Sequence, residues 1–311
     1  GERFVATGLR MFHAPQGKSW TGFLLDYAVS VFGKDWWKTE GEKTPDLQHP
    51  IIELRKRAIG YMIKHQKDPD ELPGKKAANS SAGAFLTFAF DLYTVEHNGD
   101  LDDDFLQRLK EKDLFQGARH ELYAEATCLR AGCGIEHENE KDGKKRHVEF
   151  TATHKQTGQK FSVEAKSRHR AGVLGRPGER EDAPRLRFAD LINDAVAKKP
   201  AHPLVVFIDT NLPFEEAERV YGFPDRNKLT NRVFCMPLEK LRVEQGGLDP
   251  VNITVYVNHT YNYRDEEQPA KKHVLVAISN VPTQKANQAA MIEIGKAADL
   301  FGNIPTEFEE E

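Results

Sequence analysis

Cysteine is scarce, with three in 311 residues. Cys128, Cys133 and Cys235 form no C-x-x-C pair. That excludes a disulfide scaffold and argues against a thiolate zinc site. All three are expected to be small buried hydrophobes in a reducing compartment. Long apolar runs are also missing. The longest, Ala84 to Phe90, is broken by Thr87, far short of the ~18 residues a spanning helix needs. The first residues lack the charged segment, apolar stretch and cleavage site of a secretory signal. A cytoplasmic protein with no membrane partner is therefore expected. No internal repeat is visible, and the only biased segment is the acidic end, Glu307 to Glu311.

What is present is a polar but foldable composition. Hydrophobic residues make up 39% and charged residues 30%, a globular rather than a disordered balance. At roughly 150 residues per domain, the length suggests about two domains. The net charge is −4, but it is unevenly spread. Between Lys144 and Arg187 stand 12 Lys/Arg against 5 Asp/Glu, a local +7 that leaves −11 for the rest of the chain. An acidic cluster sits at Asp100 to Asp104. A concentrated basic segment on an acidic chain suits a polyanion, because each neutralised phosphate releases counterions. A merely solvated basic hairpin and loop would have the same composition.

The first 110 residues read as a helical region. Trp20, Phe23, Leu24, Tyr27, Ala28, Val31 and Phe32 recur at helical spacing, as do Ile51, Ile52, Leu54, Ala58, Ile59 and Met62. A loop is expected at Asp68 to Gly74, and a buried helix over Ala84 to Tyr93. Trp36-Trp37 is expected to pack in a core or interface rather than stack on bases. Residues 111–311 read as an α/β domain with a C-terminal extension. A helix over Leu114 to Gly132 carries the stripe Ala118, Leu122, Ala126 and Leu129. The period then changes to two, giving a hairpin over 148–152 and 161–166. A helix is expected over Arg185 to Lys198, a buried strand over Pro203 to Ile208 and a helix over Phe214 to Tyr221. Strands are expected at Val233 to Met236, Ile253 to Val257 and Val274 to Ile278, and a last helix over Gln284 to Phe301. This order predicts a layered α/β fold with a mixed sheet.

The hairpin carries the chemistry. With a two-residue turn at Thr157-Gly158, Glu149 faces Lys166 and Thr151 faces Glu164. One face is then apolar (Phe150, Ala152, Val163, Ala165), and the other gathers Glu149, Thr151, Glu164 and Lys166. Glu149 and Glu164 become diagonal neighbours, about 7–8 Å apart. A shift of the pairing by two keeps the same faces. Two carboxylates suit one hard cation, Mg²⁺ or Mn²⁺, with positions left for water and a phosphate oxygen. An ammonium beside them can hold that phosphate. Glu121, flanking the stripe of the preceding helix, is a candidate third carboxylate, with Glu125 as its substitute or else a solvated helix residue.

The stretch Val163-Glu164-Ala165-Lys166-Ser167-Arg168, with Glu149 one hairpin strand earlier and Glu121 on the helix upstream, resembles the PD-(D/E)XK nuclease superfamily, the restriction-endonuclease-like fold. The resemblance spans Leu114 to Asp209. It implies an αβββαβ core, Mg²⁺- or Mn²⁺-dependent phosphodiester hydrolysis, and DNA ahead of RNA as substrate. Glu164 and Lys166 match the E-x-K element. Glu149, 15 residues earlier, stands where the family usually has Asp and lacks the preceding Pro. The resemblance gives Glu149, Glu164 and Lys166 catalytic roles, and Glu121, Glu149 and Glu164 metal-binding roles. Defence against foreign DNA, or repair, is the biological setting it suggests.

Past the strand, Arg168, Arg170 and Arg176 lie in or beside a loop whose glycines, Gly172, Gly175 and Gly178, would let it grip a phosphate backbone. His147, His154 and His169 are expected at the surface. Asp209 is expected to cap the next helix. Asn258-His259-Thr260 matches a glycosylation acceptor by chance. Two other readings carry different expectations: a catalytically inactive nucleic-acid-binding protein on the same fold, and a protein-interaction module built on the helical region and acidic tail. A homo-oligomer or a protein partner fits any of these.

Overall fold

The computed structural model describes residues 3–7, 10–14, 20–65, 79–98, 101–137, 147–179, 188–222, 231–262, 270 and 272–299. The loop expected at 68–74 and the acidic tail lie outside them. Among the described residues, no helix is long and apolar enough to cross a membrane.

The N-terminal region packs helices α1 (Trp20–Phe32), α2 (Lys34–Glu42), α3 (Pro50–His65), α4 (Ser80–Asn98) and α5 (Asp103–Lys110). It is not all-helical. Strands β1 (Arg3–Thr7) and β2 (Arg10–Ala14) pair antiparallel ahead of α1, in a stretch where periodicity gives no expectation. Helix α4 is buried along most of its length because α1, α3 and the following α6 (Phe115–Arg130) all pack on it. Asn79 caps it, its side-chain oxygen accepting from Ala82 N at 2.9 Å. The acidic cluster before α5 has a local use. Asp102 accepts from Phe105 N at 2.8 Å, and Asp103 and Asp104 sit at the positive end of the helix dipole. Trp36 and Trp37 pack at the margin of this core, edge-on to one another and to Phe32 or its neighbours.

Helix α6 belongs to two cores. Phe115, Ala118, Leu122 and Ala126 join the helical layer. Tyr123, Ala124 and Cys128 turn to the sheet. Burial of both stripes fixes how the helical layer meets the sheet. Gly132, at φ +78°, ends the helix and turns the chain into the first strand of the sheet.

That sheet has six strands in sequence order: β3 (Cys133–His137), β4 (Phe150–His154), β5 (Lys160–Ser167), β6 (Leu204–Asp209), β7 (Ile253–Asn258) and β8 (His273–Ile278). The β3–β4, β4–β5 and β7–β8 pairs are antiparallel, and β5–β6 and β6–β7 are parallel. The chain from α6 to β6 thus runs helix, three strands, helix, strand, with α7 (Phe188–Ala197) as the crossover. The first three residues of the helix expected from Arg185 lie outside the described residues. One sheet face packs on α6 and α10 (Gln288–Asp299) through Phe161, Val163, Ala165, Val205 and Phe207. The other packs on α7, α8 (Phe214–Tyr221) and α9 (Met236–Glu244) through Val206, Ile208, Ile192 and Val220.

The strand expected over Val233 to Met236 is not formed. Residues Asn231–Cys235 make a π-helical turn that runs into α9. A four-residue apolar run suits a buried helical turn as well as a strand. Phe234 goes into the core beside Phe188 and Tyr256, and Pro237 in the first turn of α9 favours the helix. Cys128 and Cys133 are buried as expected, whereas Cys235 is exposed in this turn.

Candidate active site

The register of β4 and β5 is not that of a two-residue turn. Phe150 pairs with Val163 and Thr151 with Ser162. The loop holds four residues, Lys155 to Gly158. His154 N donates to Gln159 O and Gly158 N to His154 O, both at 2.8 Å, with Gly158 at φ +68°. Pairing is therefore shifted by two from the tighter turn. Glu149 N donates to Val163 O at 3.1 Å, so Glu149 lies in a bend just past the last paired step, Phe150 with Val163, and shares two lysines with Glu164. Period-two alternation is unaffected by such a shift, so the faces stay as expected.

Like charges held close together at the end of a ladder repel. Two ammonium groups answer that repulsion. Lys166 Nζ lies 2.8 Å from Glu164 Oε2 and 3.9 Å from Glu149 Oε1. Lys198 Nζ, from the residue after α7, lies 2.7 Å from Glu164 Oε1 and 3.7 Å from Glu149 Oε1. Glu164 is fully buried, and each of its oxygens meets one of these cations. Burial, then the charges of Glu121 and Glu164, push the Glu149 carboxyl up to about 7 despite both lysines. Burial works against the Lys166 ammonium, but Glu164 and Glu149 outweigh it and hold its pKa above the ordinary lysine value.

Glu121 is engaged elsewhere. Its carboxylate meets Arg108 of α5 at 2.5 Å. Among the described residues, the trio of His, Cys, Asp or Glu whose ligand atoms all lie within 4.8 Å of one another is His120, Asp209 and His259. Glu121 therefore reaches the site through its charge, without closing on Glu149 and Glu164. Glu125 is buried rather than solvated and pairs with His137 at 3.4 Å.

The arginines beyond β5 are mostly spent inside the molecule. Arg168 donates to Thr210 O and Asn211 O, both at 3.1 Å. Arg170 is fully buried, with its backbone N on Gln116 Oε1 at 3.0 Å. Arg176 reaches the exposed His169, Nη1 to Nδ1 at 3.1 Å. The three loop glycines all have positive φ, and Gly172 N bonds back to Arg176 O. His154 is buried, not at the surface, and meets Glu293 at 2.6 Å.

No protein-family model, curated protein or solved structure matches this chain.

A second polar group lies on the α6 face, with little local signal in the residues that form it. Asp209 does not cap α8. It is fully buried, accepting from Tyr261 Oη and from Asn211 N at 3.1 Å. Burial pushes its carboxyl up to about 6. Arg119 Nη1 lies 3.0 Å from His259 Nδ1. A guanidinium only donates, so this nitrogen accepts and Nε2 carries the proton. That Nε2 faces His120 Nδ1 at 3.4 Å. Burial keeps both imidazoles neutral, with His120 down to about 3. A metal ion here would need lone pairs that this chain of donors already uses, so the trio is a hydrogen-bonded network. Asn258, of the glycosylation-like tripeptide, is also internal, holding Leu212 N and O.

Lys198 is the site residue that sequence reasoning missed. A lysine at the end of an amphipathic helix reads as ordinary dipole complementation. Only the packing of α7 on β6, the neighbour of β5, aims it at Glu164.

Proposed function

We propose that this chain is a metal-dependent nuclease of the PD-(D/E)XK type that hydrolyses phosphodiester bonds, with DNA as the substrate class. The observation that carries the reading is the convergence of Glu149, Glu164 and Lys166 on one sheet face, beside a helix, three strands, helix, strand succession. A salt-bridged hairpin needs only charges of opposite sign. It does not need two carboxylates gathered around the same ammonium groups, one of them fully buried, which costs repulsion and desolvation.

The donor set fits Mg²⁺ or Mn²⁺: two carboxylates supply hard oxygen ligands, and both oxygens of Glu164 face ammonium groups. Glu149 and Glu164 would hold the ion, with Glu121 adding negative charge nearby. When bound, the ion lowers the pKa of coordinated water and neutralises phosphate charge. Lys166 holds a non-bridging phosphate oxygen and stabilises the charge that develops there. Hydrolysis forms one P–O bond from water and breaks the P–O bond to the leaving alkoxide, which takes up a proton. Arg176, on the outer side of its loop, is the arginine of the three best disposed to meet a phosphate backbone.

Cleavage of plasmid and single-stranded DNA, with Mg²⁺ or Mn²⁺ against EDTA, tests the reading. Metal-dependent cutting that Glu164→Gln loses supports it. Folded protein that neither cuts nor binds metal rejects it.

A further inference from the structure

The two lysines at the carboxylate pair are not equivalent. Lys166 is two residues from Glu164 on the same strand, and the ladder fixes its position. Lys198 arrives from outside the sheet. Its N–H closes the last turn of α7 on Ala195 O at 3.2 Å, and the next residue, Lys199, breaks the helix at φ +54°. Beyond it the chain bends through Pro200 to His202, with Ala201 exposed and its neighbours half-buried. The Lys198 side chain is 20% exposed, while the Glu164 carboxylate it meets is fully buried. Its ammonium stands 2.7 Å from one carboxylate and 3.7 Å from the other. A cation shared by both carboxylates would occupy that same space.

Resting on the nuclease reading, we propose that Lys198 is a displaceable counter-cation: it neutralises the Glu149–Glu164 pair in the metal-free protein and swings out when a divalent ion binds. The physical need is plain. Two carboxylates that share the same two ammonium groups, one of them buried, repel each other and destabilise the hairpin end. Lys166 alone leaves one negative charge uncompensated. Lys198 supplies the second positive charge and brings the four-group cluster to formal neutrality. A divalent ion supplies the same charge and makes Lys198 redundant. A lysine suits the part because its flexible stem lets a point charge move between a buried partner and water. Lys198 thereby sets the divalent concentration at which the site fills. Once displaced, it lies at the mouth of the site, where an incoming phosphate would meet it.

The test is calorimetric titration of Mn²⁺ into the full-length chain, comparing wild type with Lys198→Met and Lys198→Arg. The Met variant keeps the stem and loses the charge. It is expected to bind Mn²⁺ about fivefold more tightly, the scale of one ion pair whose cation reaches solvent. The Arg variant keeps the charge and is expected to stay near wild type. A Met variant with unchanged or weaker affinity, beside a wild type that binds, overturns the proposal and leaves the nuclease reading standing. No binding by wild type or by the Met variant overturns both. If the Met variant does not fold, Lys198→Gln gives the same comparison.

Discussion

Ser167 pairs with Asp209 at the last step of the parallel β5–β6 ladder, one residue beyond Lys166. This pairing joins two polar groups on opposite faces of one sheet. Glu149, Glu164, Lys166 and Lys198 lie on the α7 face. Asp209 turns to the α6 face, toward Tyr261, Arg119, His259 and His120. Arg168 N donates to Asp209 O at 3.0 Å, so the strand that carries Lys166 is pinned where it ends. We read the buried network as the anchor of that strand end. Two predictions below test the two sides of this pairing.

Lys166→Ala is expected to lower cleavage by about 10²–10³-fold at saturating Mn²⁺, the usual effect of deleting one group that stabilises developing charge. Binding of the metal should survive. Single-turnover cleavage kinetics beside calorimetry separates the two effects. Metal binding lost together with activity would make Lys166 a structural element of the pair.

Tyr261→Phe removes a donor from the buried Asp209. Stability is expected to fall by roughly 1–3 kcal/mol at pH 7.5, the cost of leaving a buried acceptor short of a partner. The Asp209 carboxyl is raised to about 6 from an ordinary 3.8. The stability that its neutral form favours is therefore present below pH 3.8 and lost as the pH rises through 6. The deficit of the variant should accordingly shrink at pH 5. Urea denaturation at the two pH values measures it, and an equal loss at both would contradict the assignment.

Acid should weaken the helical layer through His49. Burial, the largest cause, pulls its pKa down to about 3, and Ile51 N donates to its Nδ1 at 3.3 Å. A histidine lowered in this way contributes stability above pH 6.5 that is lost as the pH falls toward 3. The slope reaches about 1.4 kcal/mol per pH unit for a single group. The stability of His49→Gln should fall less steeply between pH 6.5 and 4. Identical slopes for variant and wild type would show that His49 does not titrate on unfolding.

Because α6 serves both cores, the helical layer and the sheet should unfold together. All three tryptophans, Trp20, Trp36 and Trp37, lie in the helical layer. Tryptophan fluorescence and far-ultraviolet circular dichroism should therefore give coincident transitions. Leu122→Ala, at the junction, should cost about 2–5 kcal/mol and shift both probes equally. A fluorescence change that precedes the dichroism change would mean two independent units.

Most elements were legible because their signals are local. The stripe of α6, the alternation of β4 and β5 and the apolar run of β6 are properties of residues within a few positions of one another. The residues Glu149, Glu164 and Lys166 were legible for the same reason, since alternation puts them on one face under any even shift of register. The missed elements are those whose local pattern is ambiguous. Residues 231–235 could pack as a turn or a strand, and β3, Cys133–His137, carries only a short apolar signal.

The sequence by itself determined which side chains share a sheet face, because backbone periodicity is set by bonded geometry and needs no partner. Tertiary structure alone decided that Phe150 pairs with Val163 and leaves Glu149 in a bend beside Glu164, since loop conformation sets the register. It also decided that Lys198 completes their charge balance, that Arg168 and Arg170 turn inward, and that Asp209 meets Tyr261, 52 residues away. These are contacts between distant segments, fixed by how α6 and α7 pack on opposite faces of the sheet. No local pattern encodes that packing, because it follows from burying several apolar surfaces at once.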